Sequence, residues 1–378
     1  MTVSDQRRGR LRATTGSWLV AFLFLFLTAC GGTTPTATSA PLPSSQAAGS
    51  ASAAPAASVA AVASPTRPAA AASGTPATPA GAAVTAPATP RGTPATPAAT
   101  PRGAAYPLTV RDDAGRSVTV AQRPVRIVSL APSNTELLYA LDLGDRVAGV
   151  DKFSNYPPAA QAKPKIGSYS AANLEQVVAL EPDLILAAGI TRPDVLTALA
   201  GRGLATVVLN PTDLAGVLAN ITLLGQIADV GANATVLRGS LDARVAAVAE
   251  RAKGAATKPR AFVELDPTQF YSVGPKSFID DLIARAGGTN IAADTGTPYP
   301  QLSQEQIIAK DPEVILLGDG SQGVTPESVK GRAGWGGISA VKSGRIVVLD
   351  EDVFLRPGPR SVDALEQLLR YLHPELYR

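Results

Sequence analysis

Six side chains that could bind a large ligand stand in loops that follow predicted strands. Four are aromatic and two form a charged pair: Phe153, Tyr169, Tyr299, Phe354, Asp352 and Arg356. Aromatic rings offer flat apolar faces, and a carboxylate beside a guanidinium offers both acceptors and donors. Such a set suits a large, rigid ligand with amide or carboxylate groups at its edge. The alternatives are that each ring only packs within the fold and that Asp352 and Arg356 form a surface ion pair.

Residues that support catalysis or bind metals are scarce in the 378-residue chain. Cys30, His373 and Met1 are the only residues of their types. This excludes a disulfide, a Cys/His zinc site and a His-based triad. The sequence also lacks a GxSxG elbow and a phosphate-binding P-loop. We therefore predict a binding protein without catalytic residues, metal site or resident cofactor, and we keep an α/β enzyme and a ligand-sensing surface protein as alternatives.

A segment that predicts a loop, a short helix and a buried strand occurs twice. Residues 169–186 and 299–316 align at a constant offset of 130 positions. In each copy a polar N-cap, Asn173 or Ser303, precedes Gln by three positions, which is the capping-box spacing, and a Pro ends the helix. Two homologous lobes are the simplest explanation. Tyr169 and Tyr299 would then occupy equivalent positions facing one cleft.

The elements around this repeat alternate between strands and helices. After a hairpin centred on 113–115, strands are predicted at 126–130, 147–150, 206–209, 261–265, 314–317 and 346–349, and helices at 135–143, 196–200, 278–286 and 361–372. This alternation predicts an α/β fold of two similar lobes, each a mainly parallel sheet flanked by helices. A long helical connector, 214–228 and 232–251, joins them. Ligands bind beyond the carboxyl ends of such strands, so we place the ligand cleft between the lobes.

The first 105 residues predict export and attachment rather than a folded domain. Four Arg residues precede an apolar run, which indicates a signal peptide over 1–29. Leu-Thr-Ala-Cys at its end resembles a bacterial lipoprotein cleavage box, which implies that Cys30 becomes the lipid-bearing first residue; the alternative is an ordinary signal peptide. Residues 30–105 are rich in Ala, Pro and Thr without any aromatic or acidic residue, so we predict a disordered tether.

The rest of the chain divides into an N-terminal lobe at 106–213, a helical connector at 214–254 and a C-terminal lobe at 255–378. The whole chain carries a formal charge of +3, but beyond the signal and the tether 27 basic residues stand against 30 acidic ones. This slightly acidic balance argues against a nucleic-acid partner. We expect a monomer.

Residues 124–372 resemble the periplasmic substrate-binding proteins of ABC importers for cobalamin, haem and iron siderophores, most closely the cobalamin-binding members. The matching stretches are SLAPSNTELLYAL (129–141), FSNYPP (153–158), NLEQVVALEPDLIL (173–186), TPYPQLSQEQIIAKDP (297–312) and DVFLRPGPR (352–360). The resemblance implies a protein outside the cytoplasm that delivers its ligand to an ABC permease dimer with ATPase subunits. With Cys30 lipidated, the protein would be anchored to the cell membrane.

The resemblance also implies a role for each matching binding residue. Phe153, Tyr169 and Tyr299 would line the face of a corrinoid ring, and Asp352 and Arg356 would meet amide groups at its edge. Cobalamin-binding relatives carry Tyr at the position of Phe153 and Trp at the positions of Tyr169 and Tyr299. These departures keep the capacity for stacking and change its size and polarity.

Glu175 and Glu305 occupy the first turns of the two repeated helices. There an acidic side chain stabilises its helix by a few tenths of a kcal/mol through the dipole, which needs no further function. The resemblance implies instead that they are docking acids, one per lobe, that meet Arg residues of the two permease subunits.

The chemistry of the possible ligands separates them. Cobalamin brings its own cobalt ligand, whereas haem usually takes His, Tyr or Met from the protein. With His373 near the end of the chain and Met1 removed with the signal, only a Tyr such as Tyr169 or Tyr299 could ligate haem. A ferric siderophore needs no protein ligand. We therefore predict a corrinoid, with haem and a ferric siderophore as alternatives.

Overall fold

The computed structural model describes residues 104–168 and 171–377, and this part of the chain starts with a β-hairpin. Strands β1 (Leu108–Arg111) and β2 (Ser117–Val120) pair antiparallel, which confirms the predicted hairpin. The Asp112 carboxylate fixes it in place. This carboxylate accepts a hydrogen bond from Arg116 Nη2 at 2.6 Å and another from the backbone N–H of Val208 at 3.1 Å.

The first lobe is built around a four-stranded parallel sheet. Its strands are β3 (Ile127–Ser129), β4 (Val147–Val150), β7 (Leu184–Ala188) and β8 (Thr206–Leu209), with the two-residue strands β5 (Gly167–Ser168) and β6 (Ala171–Ala172) outside the sheet. Its helices are α1 (Pro132–Ala140), α2 (Leu174–Ala179) and α3 (Pro193–Ala200). The spatial order of the main strands is β4-β3-β7-β8.

Two long helices form the connector, α4 (Leu214–Ile227) and α5 (Gly231–Ala252). They pack against each other, and a β-carbon at Gly225 would lie 2.4 Å from the β-carbon of Ala234. The bend between them is at Asp229, with φ of 55°. None of the helices in residues 104–168 and 171–377 is both long and apolar enough to cross a bilayer.

The second lobe repeats the plan of the first. Its strands are β9 (Arg260–Glu264), β10 (Thr289–Asn290), β11 (Val314–Leu317) and β12 (Ile346–Val348), in the spatial order β10-β9-β11-β12 and all parallel. Its helices are α6 (Phe278–Arg285), α7 (Gln304–Lys310), α8 (Pro326–Lys330), α9 (Ser339–Ser343), α10 (Glu351–Phe354) and α11 (Ser361–Leu372). The predicted α/β fold of two similar lobes is confirmed.

Helices cover both faces of each sheet. Alternate residues of the strands are therefore buried in different core clusters. In the first sheet, Ile127 belongs to one core cluster and Val128 to another. In the second sheet, Val263 shares the cluster of Ile127, whereas Phe262 enters a third one. The cluster that contains Ile127 and Val263 also includes Ile221 of the connector. One apolar core therefore runs through α4 and α5 into both lobes.

The duplication extends to backbone geometry and to hydrogen bonds. Glu181 and Asp311, which are 130 positions apart, both adopt left-handed φ angles of 47° and 42° just before a proline. In each lobe an Arg at the start of an inner strand binds a carbonyl at the end of the repeated helix: Arg126 Nη2 donates to Leu180 O at 2.6 Å, and Arg260 Nη2 to Asp311 O at 2.8 Å. These devices end the helix and direct the chain into the next strand.

The structure moves two predicted boundaries. The helix predicted at 135–143 spans Pro132–Ala140, because a proline is well suited to the first helical position. The loop predicted to follow the strand at 346–349 contains α10, and its N-cap Asp350 accepts a hydrogen bond from the backbone N–H of Asp352 at 3.0 Å. Residues 1–29 and most of the predicted tether at 30–105 lie outside the described residues.

The packing of the connector can be tested with two matched glycine substitutions. Gly225→Ala would put a methyl group into the contact with Ala234, and overpacking of this kind costs about 1–3 kcal/mol. Gly239→Ala on α5 meets nothing within 4 Å and gains helix propensity of about 1 kcal/mol. We expect urea unfolding to show Gly225→Ala less stable than Gly239→Ala by at least about 1 kcal/mol. Equal stabilities would contradict the close packing of α4 on α5.

Candidate ligand-binding site

Two loops from different lobes meet beyond the carboxyl ends of the sheets. One loop, 151–158, follows β4, and the other segment, 350–360, follows β12. Asn155 Nδ2 donates to Asp352 Oδ2 at 2.6 Å, and Arg356 Nη1 donates to Asn155 Oδ1 at 2.7 Å. Asp352 and Arg356 also pair with each other. The structure therefore brings the predicted charged pair against a loop of the opposite lobe.

A buried ion pair joins the lobes next to these loops. Glu136 of α1 is 3 % exposed and receives hydrogen bonds from Arg360 Nε at 2.8 Å and Nη2 at 2.6 Å. Arg356 Nη1 lies 3.7 Å from the same carboxylate, and the Arg360 guanidinium stacks 4.2 Å from the ring centre of Tyr156. Burial raises the pKa of Glu136, and the hydrogen bonds from Arg360 oppose that effect. The pair fixes the lobes in one register.

Phe153 is held at the surface by a buried carboxylate beneath its loop. Asp151 is fully buried and accepts hydrogen bonds from the backbone N–H of Phe153 at 2.9 Å and from the hydroxyl of Ser154. Burial raises the pKa of Asp151. The Phe153 ring is 43 % exposed, and the ammonium of Lys152 lies 4.7 Å from its centre. This exposed ring can stack on a ligand.

Tyr299 is an exposed aromatic residue of the second lobe. Its loop is pinned by backbone hydrogen bonds from Gly274 N to Pro298 O at 2.8 Å and from Ser272 N to Pro300 O at 2.9 Å. Gly274 is required here, because a β-carbon would lie 2.0 Å from the carbonyl oxygen of Thr297. The Tyr299 ring is 60 % exposed. Neighbouring Tyr271, which sequence reasoning missed, is 39 % exposed and forms a β-bridge with Gln301 of the same loop.

The prediction for Phe354 is wrong in this structure, and that for Tyr169 falls outside the described residues. Phe354 is fully buried in the core, where its ring lies 6.4 Å from that of Tyr371. The sequence assigned it to a loop, but it belongs to α10 and points into the lobe. Its apolar ring contributes to packing and forms no part of an accessible binding surface.

Glu175 and Glu305 occupy equivalent, exposed positions in the first turns of α2 and α7. Asn173 caps α2 through hydrogen bonds from the N–H groups of Glu175 and Gln176, both at 3.1 Å. Ser303 caps α7 in a complete capping box with Gln306. Hydrogen bonds from the backbone N–H of Glu305 and from the Ser303 hydroxyl lower the pKa of Glu305. Both acids are thus displayed on well-defined helix ends.

The family model for periplasmic binding proteins matches residues 127–353, which include both sheets, the first meeting loop at 151–158 and the start of the second segment. This chain belongs to the periplasmic binding protein family. The resemblance seen in the sequence is thereby confirmed. Members of this family are transport components rather than enzymes. This periplasmic binding protein is accordingly a substrate-binding protein of ABC transport, and such proteins work with an ABC permease and its ATPase.

Curated relatives of this binding protein share about a third of its residues. The ABC transporter substrate-binding lipoprotein YvrC of Bacillus subtilis is 31% identical over 280 residues, which cover 72% of this chain and 88% of the relative. The cobalamin-binding protein of Halobacterium salinarum is 31% identical over 283 residues, covering 71% of this chain and 75% of the relative.

The names of solved structures with the same fold mention more than one kind of ligand. The periplasmic vitamin B12 binding protein of Vibrio cholerae superposes with a TM-score of 0.60 at 28% identity, covering 68% of this chain and 99% of its own. The periplasmic haem-binding protein of Roseiflexus superposes with a TM-score of 0.61 at 28% identity, covering 66% and 98%. The fold is therefore shared by binders of different tetrapyrrole-like ligands.

A second buried charge cluster, missed from the sequence, lies at the carboxyl ends of β9 and β11. Glu264 is fully buried and is bound by Arg332, whose Nη2 lies 2.6 Å from Oε1. The Arg332 guanidinium packs 4.6 Å from the ring centre of Trp335. Asp319 is also fully buried, and its carboxyl group lies within hydrogen-bonding reach of Glu264. Burial, followed by the nearby Glu264, raises the pKa of Asp319 to about 7.

This cluster predicts a pH dependence of stability. With its pKa raised from the ordinary 3.8, folded Asp319 keeps a proton that the unfolded chain has lost, so its contribution to stability falls as the pH rises from about 4 to 7. Asp319→Asn keeps the shape and removes the titration. We expect the Tm of this variant to exceed that of the wild type at pH 7.5 by about 5 °C, and by much less at pH 4.5.

Calorimetry at a series of pH values checks this expectation, with Glu264 and Arg332 left intact as the charged groups that face Asp319. A Tm difference that does not change between pH 4.5 and 7.5 would show that Asp319 does not retain its proton in the folded protein.

Proposed function

We propose that this protein is an extracytoplasmic solute-binding lipoprotein that captures cobalamin or a related corrinoid and delivers it to an ABC importer. The observation that carries the proposal is the combination of exposed rings from both lobes, Phe153 and Tyr299, with the Asp352–Arg356 pair at the meeting loops. Stacking surfaces with a polar edge match a flat macrocycle rimmed by polar groups. The relative named as a cobalamin-binding protein supports the same ligand class.

The charge of the pair favours neutral amides over carboxylates at the edge of the ligand. Asp352 only accepts hydrogen bonds once ionised, and Arg356 only donates. A primary amide satisfies both, because it carries an N–H₂ donor and a carbonyl acceptor. The propionates of haem would be repelled by Asp352, which lies beside Arg356. Corrinoids carry primary amides around the ring, so the pair suits them better than haem.

Attachment to the membrane is part of the proposal and rests on the sequence. Cys30 lies outside the described residues, and its lipidation is supported by the Leu-Thr-Ala-Cys box. A relative named as a lipoprotein adds support. The Ala/Pro/Thr-rich tether up to residue 105 would let the two lobes reach an importer while the lipid stays in the membrane.

The ligand assignment is tested by the absorbance spectrum that the purified protein retains after incubation with cobalamin, haem or a ferric hydroxamate siderophore and removal of free ligand. We expect retention of the cobalamin bands. Tyr299→Ala should weaken cobalamin binding about tenfold through loss of the stacking surface, whereas Tyr377→Ala, another exposed tyrosine remote in sequence from both loops, should not. Retention of haem or of the siderophore, with no retention of cobalamin, would assign the ligand to that alternative instead.

Docking of the importer is proposed to use Glu175 and Glu305. Their equivalent, exposed positions on the two lobes would match a partner with twofold symmetry. The double variant Glu175→Lys/Glu305→Lys should abolish cobalamin uptake by cells while leaving the affinity of the purified protein unchanged, because neither residue is among the proposed ligand contacts.

A matched control carries the same charge change on the connector, as Asp242→Lys/Glu250→Lys, both exposed on α5. This control should take up cobalamin at the wild-type rate. Wild-type uptake by the Glu175/Glu305 variant would refute docking through these acids, and intact binding with no importer dependence would point to a ligand-sensing surface protein.

A further inference from the structure

The carboxamide of Asn155 sits between the two members of the charged pair. Its Nδ2 donates to Asp352 Oδ2 at 2.6 Å, and its Oδ1 accepts from Arg356 Nη1 at 2.7 Å. Because an ionised carboxylate only accepts and a guanidinium only donates, this orientation of the amide is the one that satisfies all three groups. The pair from the second lobe thus binds a primary amide that the first lobe supplies.

This arrangement specifies the chemistry that the pair recognises. An amide needs both an N–H for Asp352 and a carbonyl oxygen for Arg356. A carboxylate would satisfy Arg356 and be repelled by Asp352, and a tertiary amide would leave Asp352 without a donor. The contacts of Asn155 therefore show the geometry of a primary-amide site within the protein itself.

We propose that Asn155 is an internal surrogate for a primary carboxamide of the ligand, which displaces it from Asp352 and Arg356 on binding. This inference rests on the proposed function and adds the group that the ligand must present and the side chain with which it competes. Asn155 acts as an internal competitor. It occupies the amide position between Asp352 and Arg356 and gives way to the incoming amide.

The loop is built so that the side chain can leave without moving the backbone. The backbone carbonyl of Asn155 accepts a hydrogen bond from Gln161 Nε2 at 3.0 Å, and the preceding Ser154 is bound to the buried Asp151. Asn155 itself is exposed, so once its two hydrogen bonds are replaced no core packing blocks rotation about its side-chain bonds. Displacement then needs a change of rotamer rather than refolding of the loop.

The charged pair also keeps other supports when Asn155 departs. Arg356 Nη2 donates to the backbone carbonyl of Phe153 at 3.4 Å, and Nη1 lies 3.7 Å from Glu136. Arg360 remains bound to Glu136 and donates to the backbone carbonyl of Asp352 at 3.0 Å. The amide site therefore persists while its occupant changes.

The first test measures cobalamin affinity by titration calorimetry for the wild type and Asn155→Ala. Removing the internal competitor should tighten binding by about threefold to tenfold, since the ligand no longer has to displace a hydrogen-bonded side chain. A residue that contacts the ligand, or that merely shapes the loop, would weaken binding when truncated. The sign of the change therefore separates the proposed role from the ordinary ones.

The matched control is Asn233→Ala, which removes a carboxamide that also donates to an aspartate, with Nδ2 at 3.1 Å from Asp142, on the connector rather than in the loops. It should bind cobalamin with the wild-type affinity. Equal or weaker cobalamin binding by Asn155→Ala, with wild-type binding intact, overturns the surrogate role and leaves the proposed function standing.

A second test does not depend on cobalamin. The side-chain NH₂ signals of Asn155 in the ¹⁵N-labelled protein, assigned by their loss in Asn155→Ala, should shift on titration with propionamide. They should not shift with propionate or N,N-dimethylpropionamide. If wild-type protein fails to bind cobalamin, the proposed function falls, and this titration still decides the inference: no response to propionamide overturns it, and a selective response upholds an amide site for another ligand.

Discussion

The ion pair between Glu136 and Arg360 is the contact on which the arrangement of the binding site depends. A carboxylate that is almost fully buried must be paired, and its partner comes from the other lobe. Removing one member of such a pair costs about 3–5 kcal/mol. The same arginine also binds the backbone carbonyl of Asp352, so the register of the lobes and the position of the charged pair are set together.

Much of the fold could be predicted because its signals are local. Capping residues, prolines and alternating apolar residues act within a few positions of the chain, so Thr206–Leu209 and Ser361–Leu372 were placed at their observed bounds. The repeat carried the two-lobed architecture, since a duplicated sequence folds into a duplicated unit. The structure extends this symmetry to the backbone of Glu181 and Asp311, which are both left-handed before a proline. Such a conformation is hard to detect from residue type alone.

The binding site was less predictable because its contacts join distant parts of the chain. Arg360 and Glu136 are 224 positions apart, and no periodic pattern links them. The prediction that Phe354 binds the ligand was wrong for a related reason. Phe354 belongs to a short helix rather than a loop, and only packing against the core decides where its ring points. Burial of Asp319 was equally hidden, since an acidic residue after a strand usually remains in solvent.

One apolar core threads the connector and reaches both sheets, so the two halves cannot separate widely without exposing hydrocarbon, at about 25 cal/mol for each Å². A ligand bound between the lobes would therefore meet a receptor whose lobes are already fixed relative to each other, and such preorganisation reduces the cost of binding. On the proposed function, separating the lobes to release the ligand would need free energy supplied by the importer and its ATPase.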